Sequence, residues 1–213
     1  MTSTPIREAY LVAAVSAATL IGEPAVAQAW ERPSALPDFS VGGLASHLAA
    51  QITFVPKTLA EPVDGPPLPL LGHYERVTWI GADLDAEINV AIRKGGETTA
   101  AAGPAALLSA LSSAIDVLRE ELPAQPPDHL VHPPAGPWAL RLDDFLVTRM
   151  MEIAVHCDDL AASLDLPTPD LPPEVLDPVL ALLAGLAVRR HGQTAVLRAL
   201  SRAERAPAGI TAF

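Results

Sequence analysis

Glu152 and His156 stand four residues apart in a stretch, residues 141–164, whose apolar positions repeat with the period of a helix. Both side chains therefore leave the same face, one turn from each other. A carboxylate oxygen and an imidazole nitrogen so placed can share one cation. Taken alone, Glu-x-x-x-His also fits an ordinary solvated i,i+4 contact, and a third donor on another helix is what separates the two readings. His47 offers one. In Ser40-Val41-Gly42-Gly43-Leu44-Ala45-Ser46-His47-Leu48-Ala49 the positions Val41, Leu44, Leu48 and Ile52 form an apolar stripe. His47 flanks that stripe by one helical step of about 100°, as Glu152 flanks its own. Two imidazoles and one carboxylate make a hard-to-borderline donor set suited to zinc. Three protein ligands also leave positions open for water or substrate, as in catalytic rather than structural sites.

Other reactive groups read more plainly. Cys157 is the single cysteine, which excludes an internal disulfide and a cysteine-based zinc cluster. It falls on the apolar stripe of its helix and reads as a small packed hydrophobe rather than a nucleophile. Asp158 and Asp159 read as water-facing acids, with support of a ligand histidine as the alternative. His129 and His132 lie in a proline-rich surface loop with only Asp128 near them. Trp79 and Trp138 read as packing anchors.

These groups need helices to position them, and the composition supplies helices. Of 213 residues, 50% are apolar but only 4% aromatic, which favours helices packed through small and medium side chains. Periodicity marks helices over residues 5–21, from Ser40 to about Val55, over 74–93 with a stop at Gly95-Gly96, over 104–122 and over 141–164. Residues 55–72, with Pro56, Pro62, Pro66, Pro67 and Pro69, read as a long crossover or lid. A second proline-rich connection covers 123–137, where residues 128–131 are candidates for a brief strand. The fold expected is all-α: a helical bundle over residues 1–166, with a C-terminal helical appendage over 167–213, built from helices at 174–190 and 194–202 and packed on it.

The formal net charge of -11, from 14 basic and 25 acidic residues, repels phosphate backbones and anionic lipid headgroups. Small molecules are the expected partners, not nucleic acid or membranes, and bundle faces of this composition also suit a homodimer. The apolar run 10–21, followed by Ala25-Val26-Ala27, has some features of a signal peptide. Arg7 and Glu8 cancel where positive charge is wanted, however, and Thr4-Pro5 reads as an N-cap with proline at the first helical position. The run is also shorter than the ~20 residues that cross a bilayer, so a cytoplasmic protein is expected. Residues 174–213 differ from the rest in carrying Arg189, Arg190, Arg198, Arg202 and Arg205 against Glu174, Asp177 and Glu204. An anion-binding surface is expected to include this end.

The segment Trp30-Glu31-Arg32-Pro33-Ser34-Ala35-Leu36-Pro37-Asp38-Phe39-Ser40-Val41, leading into Leu44-Ala45-Ser46-His47-Leu48, is one of two telling motifs. The other is Arg149-Met150-Met151-Glu152-Ile153-Ala154-Val155-His156-Cys157-Asp158-Asp159-Leu160-Ala161. Together they resemble the mycothiol-dependent maleylpyruvate isomerase family of the DinB-like superfamily. The likeness spans residues from about 10 to 165 and extends to Arg198-Ala199-Leu200-Ser201-Arg202. It departs at Asp38-Phe39, where relatives often carry Gly-Trp, and at Gly42-Gly43, where many carry charged residues.

The resemblance implies a four-helix bundle with a divalent metal, zinc by its donor set, on His47, Glu152 and His156. It also implies a low-molecular-weight thiol, mycothiol, as cosubstrate. Such a site binds the thiol as thiolate, which attacks a small electrophile; addition to a cis double bond, rotation and expulsion of the thiol isomerise it, and transfer of the thiol to another electrophile is the alternative outcome among relatives. Arg198 or Arg202 could then hold substrate carboxylates by bidentate pairing; offsetting helix dipoles and neighbouring acids is the alternative reading of these arginines. A non-catalytic metal- or ligand-binding bundle and a metal-dependent hydrolase are the competing readings.

Overall fold

The computed structural model describes residues 4–213. Helix α1 (Pro5–Ile21) starts where Thr4 accepts the Arg7 N–H through its side chain, with Pro5 at the first turn. Ala9, Ala13, Ala14 and Ala17 are buried along one face, so neighbouring backbones can come close. The apolar run 10–21 is thus a core helix, and the Tyr10 hydroxyl donates to the Gln51 carbonyl at 2.9 Å. Arg7, only 1% exposed, donates to the carbonyls of Leu122, Gln125 and Pro126 and pairs with Asp143 at 3.0 Å. One buried guanidinium so ties three stretches of chain together.

After the short α2 (Pro24–Gln28), α3 (Val41–Thr53) is capped by Ser40, whose hydroxyl accepts the Gly43 N–H at 2.8 Å. The chain bends at Phe54 into α4 (Val55–Ala60), and a one-turn α5 (Leu70–His73) follows the proline-rich crossover. Then come α6 (Glu87–Ala100), α7 (Pro104–Ala124) and α8 (Leu142–Ala162). Before α8, β1 (Leu130–Val131) pairs antiparallel with β2 (Leu140–Arg141). Helices α1 and α3 each pack on both α7 and α8, which makes the four-helix bundle, and α6 lies along α3. This is the mainly helical DinB-like architecture that the sequence leads one to expect.

Helix α9 (Pro173–His191) packs on α8 and α1, and α10 (Gln193–Ser201) packs on α9. Val175, Val179, Leu182 and Leu186 of α9 join the same hydrophobic core as the bundle. Among the described residues no single helix is long and apolar enough to cross a membrane.

One element differs from the sequence reading. The helix expected over 74–93 is instead a run of turns through residue 86, and α6 continues straight through Gly95 and Gly96. Gly96 is there for packing, not termination: a Cβ on it would come 2.6 Å from the Gly43 carbonyl oxygen and 2.8 Å from the Phe39 ring. Likewise a Cβ on Gly42 would meet the Trp30 indole at 2.6 Å. The unusual Gly42-Gly43 pair therefore lets α3 accept Trp30 on one side and α6 on the other. Glu97 of α6 completes the seam by accepting the Ser40 N–H at 2.8 Å and its hydroxyl at 2.9 Å. The chain turns at Gly103, whose φ of 82° suits glycine.

Two adjacent glycines should consequently respond in opposite ways. Gly96→Ala should lower unfolding free energy by about 1–3 kcal/mol through overpacking. Gly95→Ala, with nothing within 4 Å of its added Cβ, should raise it by about 0.5–1 kcal/mol through helix propensity. Urea denaturation of both variants checks the sign of each.

Candidate functional site

Helix α8 presents Glu152 and His156, and α3 presents His47 against them. One ligand-type atom from each of the three lies within 4.8 Å of the others, and among the described residues this is the one such group. His156 Nε2 is 3.3 Å from Glu152 Oε2, with the two side chains 17% and 15% exposed. The His47 and His156 rings meet edge to face, centroids 4.8 Å apart. On its other side His156 Nδ1 bonds Asp159 Oδ2 at 2.9 Å. That carboxylate orients the imidazole and leaves Nε2 directed at the cluster. Asp159 thus has the supporting role, while Asp158 accepts from the Thr168 hydroxyl at 2.6 Å.

Burial acts against every charge here, and the partners decide which charges survive. Burial, reinforced by the neighbouring His156, pushes His47 down to about 4. For His156, burial is outweighed by hydrogen bonds to Asp159 and Glu152, and its pKa rises to about 9. Glu152 is held below the usual carboxylate range: burial would raise it, but the His156 hydrogen bond and the Arg149 charge outweigh that. At neutral pH His47 is then neutral, Glu152 ionised and His156 protonated. One proton separates this cluster from a complete donor set.

The cluster lies in a cleft of about 530 Å³, the size of a small-molecule site. Phe39, Phe54, Trp79, Val155 and Phe213 form apolar walls, and α6 adds Ile88 and Ile92. The Phe213 ring packs on Trp79, centroids 4.9 Å apart.

Several lining residues had no assigned part in the sequence reading. Arg149 donates from Nη1 to Gln51 Oε1 at 2.5 Å and from Nε to the Thr148 hydroxyl at 3.0 Å. Its guanidinium also lies over the Phe145 and Phe54 rings. It sits three residues before Glu152 and so on the same helix face, a signal present in the sequence. His73 and Tyr74 also line the cleft, carried there by turns that have no periodicity to read. Trp138 is more than an anchor, since its indole N–H donates to His73 Nδ1 at 3.0 Å. Gly136 leaves space for that indole.

The remaining candidates lie elsewhere. Arg198 and Arg202 are exposed and do not line the cleft; Arg202 donates to the neighbouring Ser201 carbonyl. Arg93 and Arg149 are the arginines that line it. Cys157 is buried in the core, and burial pushes its thiol up to about 12. His132 Nδ1 lies 3.2 Å from the Trp138 carbonyl, and His129 is half-buried, its Nε2 without a partner.

A family model described as the mycothiol maleylpyruvate isomerase N-terminal domain matches residues 11–161. No curated protein and no solved structure matches significantly. The matched stretch runs from within α1 to the end of α8 and includes His47, Glu152 and His156. On a match over most of its length, and with the bundle and the three-residue cluster inside that match, the chain belongs to the mycothiol maleylpyruvate isomerase N-terminal domain family.

Proposed function

We propose that His47, Glu152 and His156 hold one divalent cation, zinc, and that the protein is a thiol-dependent isomerase or S-transferase acting on a small electrophile, with mycothiol as the thiol. The observation that carries this reading is the convergence of the three donors within 4.8 Å at the wall of a cleft. The donors fit the ion: two imidazoles and a carboxylate match zinc, and a ligand histidine backed by a carboxylate, as His156 is by Asp159, is the usual support of such sites. Bound there, zinc would supply a Lewis acid that stabilises an exogenous thiol as thiolate near neutral pH.

The chain's own residues do the rest. No described cysteine competes for that role, because Cys157 is buried and its thiol is held protonated. Asp159 fixes the His156 ring, and aromatic side chains wall the cleft beside the three donors. Arg149, one turn from Glu152, sets a positive field over the cleft. A cytoplasmic setting, where low-molecular-weight thiols are reduced, suits this chemistry.

Zinc titration followed by elemental analysis should give one ion per chain. Glu152→Gln should remove stoichiometric uptake, and Asp159→Asn should weaken it by about 10–100-fold. A wild-type protein that retains no zinc ends the proposal.

Uptake at pH 7.5 should release about one proton, because His156 is protonated up to about pH 9 while His47 is already neutral. The affinity should accordingly rise as pH increases toward that value. Calorimetry in two buffers of different ionisation enthalpy measures the proton count.

Mycothiol should raise the melting temperature of the zinc-loaded protein by several degrees at about 100 times its dissociation constant. It should leave the metal-free protein unchanged. Equal shifts in both forms would favour a non-catalytic ligand-binding bundle.

A further inference from the structure

Beside the metal donors, the cleft contains a second set of polar groups that is complete except for an acceptor. Arg149 is half-buried, and among the described residues no carboxylate lies in ion-pair reach of it, whereas Arg7, Arg119, Arg189 and Arg205 each have one. Its Nε and Nη1 are engaged by neutral oxygens, and no hydrogen bond is made by Nη2. Tyr74 is 6% exposed and lines the cleft, yet its hydroxyl is buried without a partner among the described residues. That hydroxyl feels the charges of both Arg149 and Glu152. His73, 2% exposed, accepts the Trp138 indole N–H on Nδ1, so the proton of the neutral ring is on Nε2. The obvious neighbouring acceptor is already used, because Gln51 takes Arg149 on its oxygen while its nitrogen donates to the His47 carbonyl.

A half-buried guanidinium, an orphaned phenol and an imidazole N–H form a cluster of donors. Groups of this kind are costly to leave unmet, and each calls for an explanation. We propose that Arg149 and Tyr74, with His73 in support, form an oxyanion-binding subsite for a small organic anion whose apolar body lies along the aromatic walls. Arg149 precedes Glu152 by three residues, and neighbours at that spacing have Cβ atoms about 5–6 Å apart. The anionic oxygen is therefore held a few bonds from whatever atom reaches the metal donors. For its catalytic meaning the subsite rests on the thiol-transfer reading above; for its existence it does not. It places an anion site at Arg149 in the cleft, apart from the exposed Arg198 and Arg202.

The probe is benzoate, compared with its neutral isostere benzamide, by calorimetry on wild type, Tyr74→Phe and Arg149→Gln. Each protein is tested zinc-loaded and metal-free, with zinc content read on the same preparations. Benzoate should bind wild type saturably and at least about tenfold tighter than benzamide, since hydrogen bonds to a charged group are the strong ones. Tyr74→Phe should weaken benzoate by about tenfold without lowering the melting temperature or the zinc content, because the hydroxyl it removes has no partner in the fold. The same dependence in metal-free protein excludes coordination of the carboxylate by zinc itself. Absence of saturable benzoate binding to wild type, or an affinity unchanged from wild type in both variants, overturns the subsite. Loss of stoichiometric zinc with the benzoate dependence intact would instead count against the metal reading alone.

Discussion

The constraint on which the rest depends is the burial of charge on one face of α8. Removing an ion from water inside a bundle costs several kcal/mol unless it is met by partners, and Arg149, Glu152, His156 and Asp159 all occupy or border that face. They alternate in sign along the helix: guanidinium, carboxylate, imidazolium, carboxylate. Helix α3 closes over them with His47, whose ring remains neutral because burial, reinforced by the neighbouring His156, disfavours its charged form. A divalent ion would replace the Nε2 proton of His156 with a larger charge, while the Nδ1 proton stays hydrogen-bonded to Asp159.

The bundle is built to keep that face at a fixed distance from its neighbours. Alanines on α1 and glycines on α3 and α6 permit close approach of those helices to their neighbours, and the packing of α3 on α8 brings His47 to His156 in ring contact. Arg7 locks the far end by binding the last carbonyls of α7 and Asp143 at the first turn of α8. A rotation of α8 by one residue would turn the donor set by about 100° and break the Arg7 contact as well.

What could be read from sequence follows the range of the signal. Glu152 and His156 are a local pair on a strongly periodic helix, and His47 flanks the stripe of another, so helical geometry alone makes them candidates. Arg149 lies on that same face and could have been included by the same reasoning. His73 and Tyr74 could not, because the turns after α5 set their place and carry no period. Gly95-Gly96 was read as a helix stop, the usual consequence of poor helix propensity, but contact between α3 and α6 overrides propensity there. Net charge pointed to the C-terminal arginines for anion binding; it reports the composition of a segment and not where its side chains lie. The exposure of Arg198 and Arg202 and Arg149's position in the cleft are facts of packing.

The wall contributed by Phe213 lies outside the stretch that matches the family, residues 11–161. Chemistry and enclosure thus come from different parts of the polypeptide: the shared module provides the donors, and the tail following α10 provides part of the container. In such a division of labour, a change in the tail can alter which molecules are admitted while the reacting centre stays as it is.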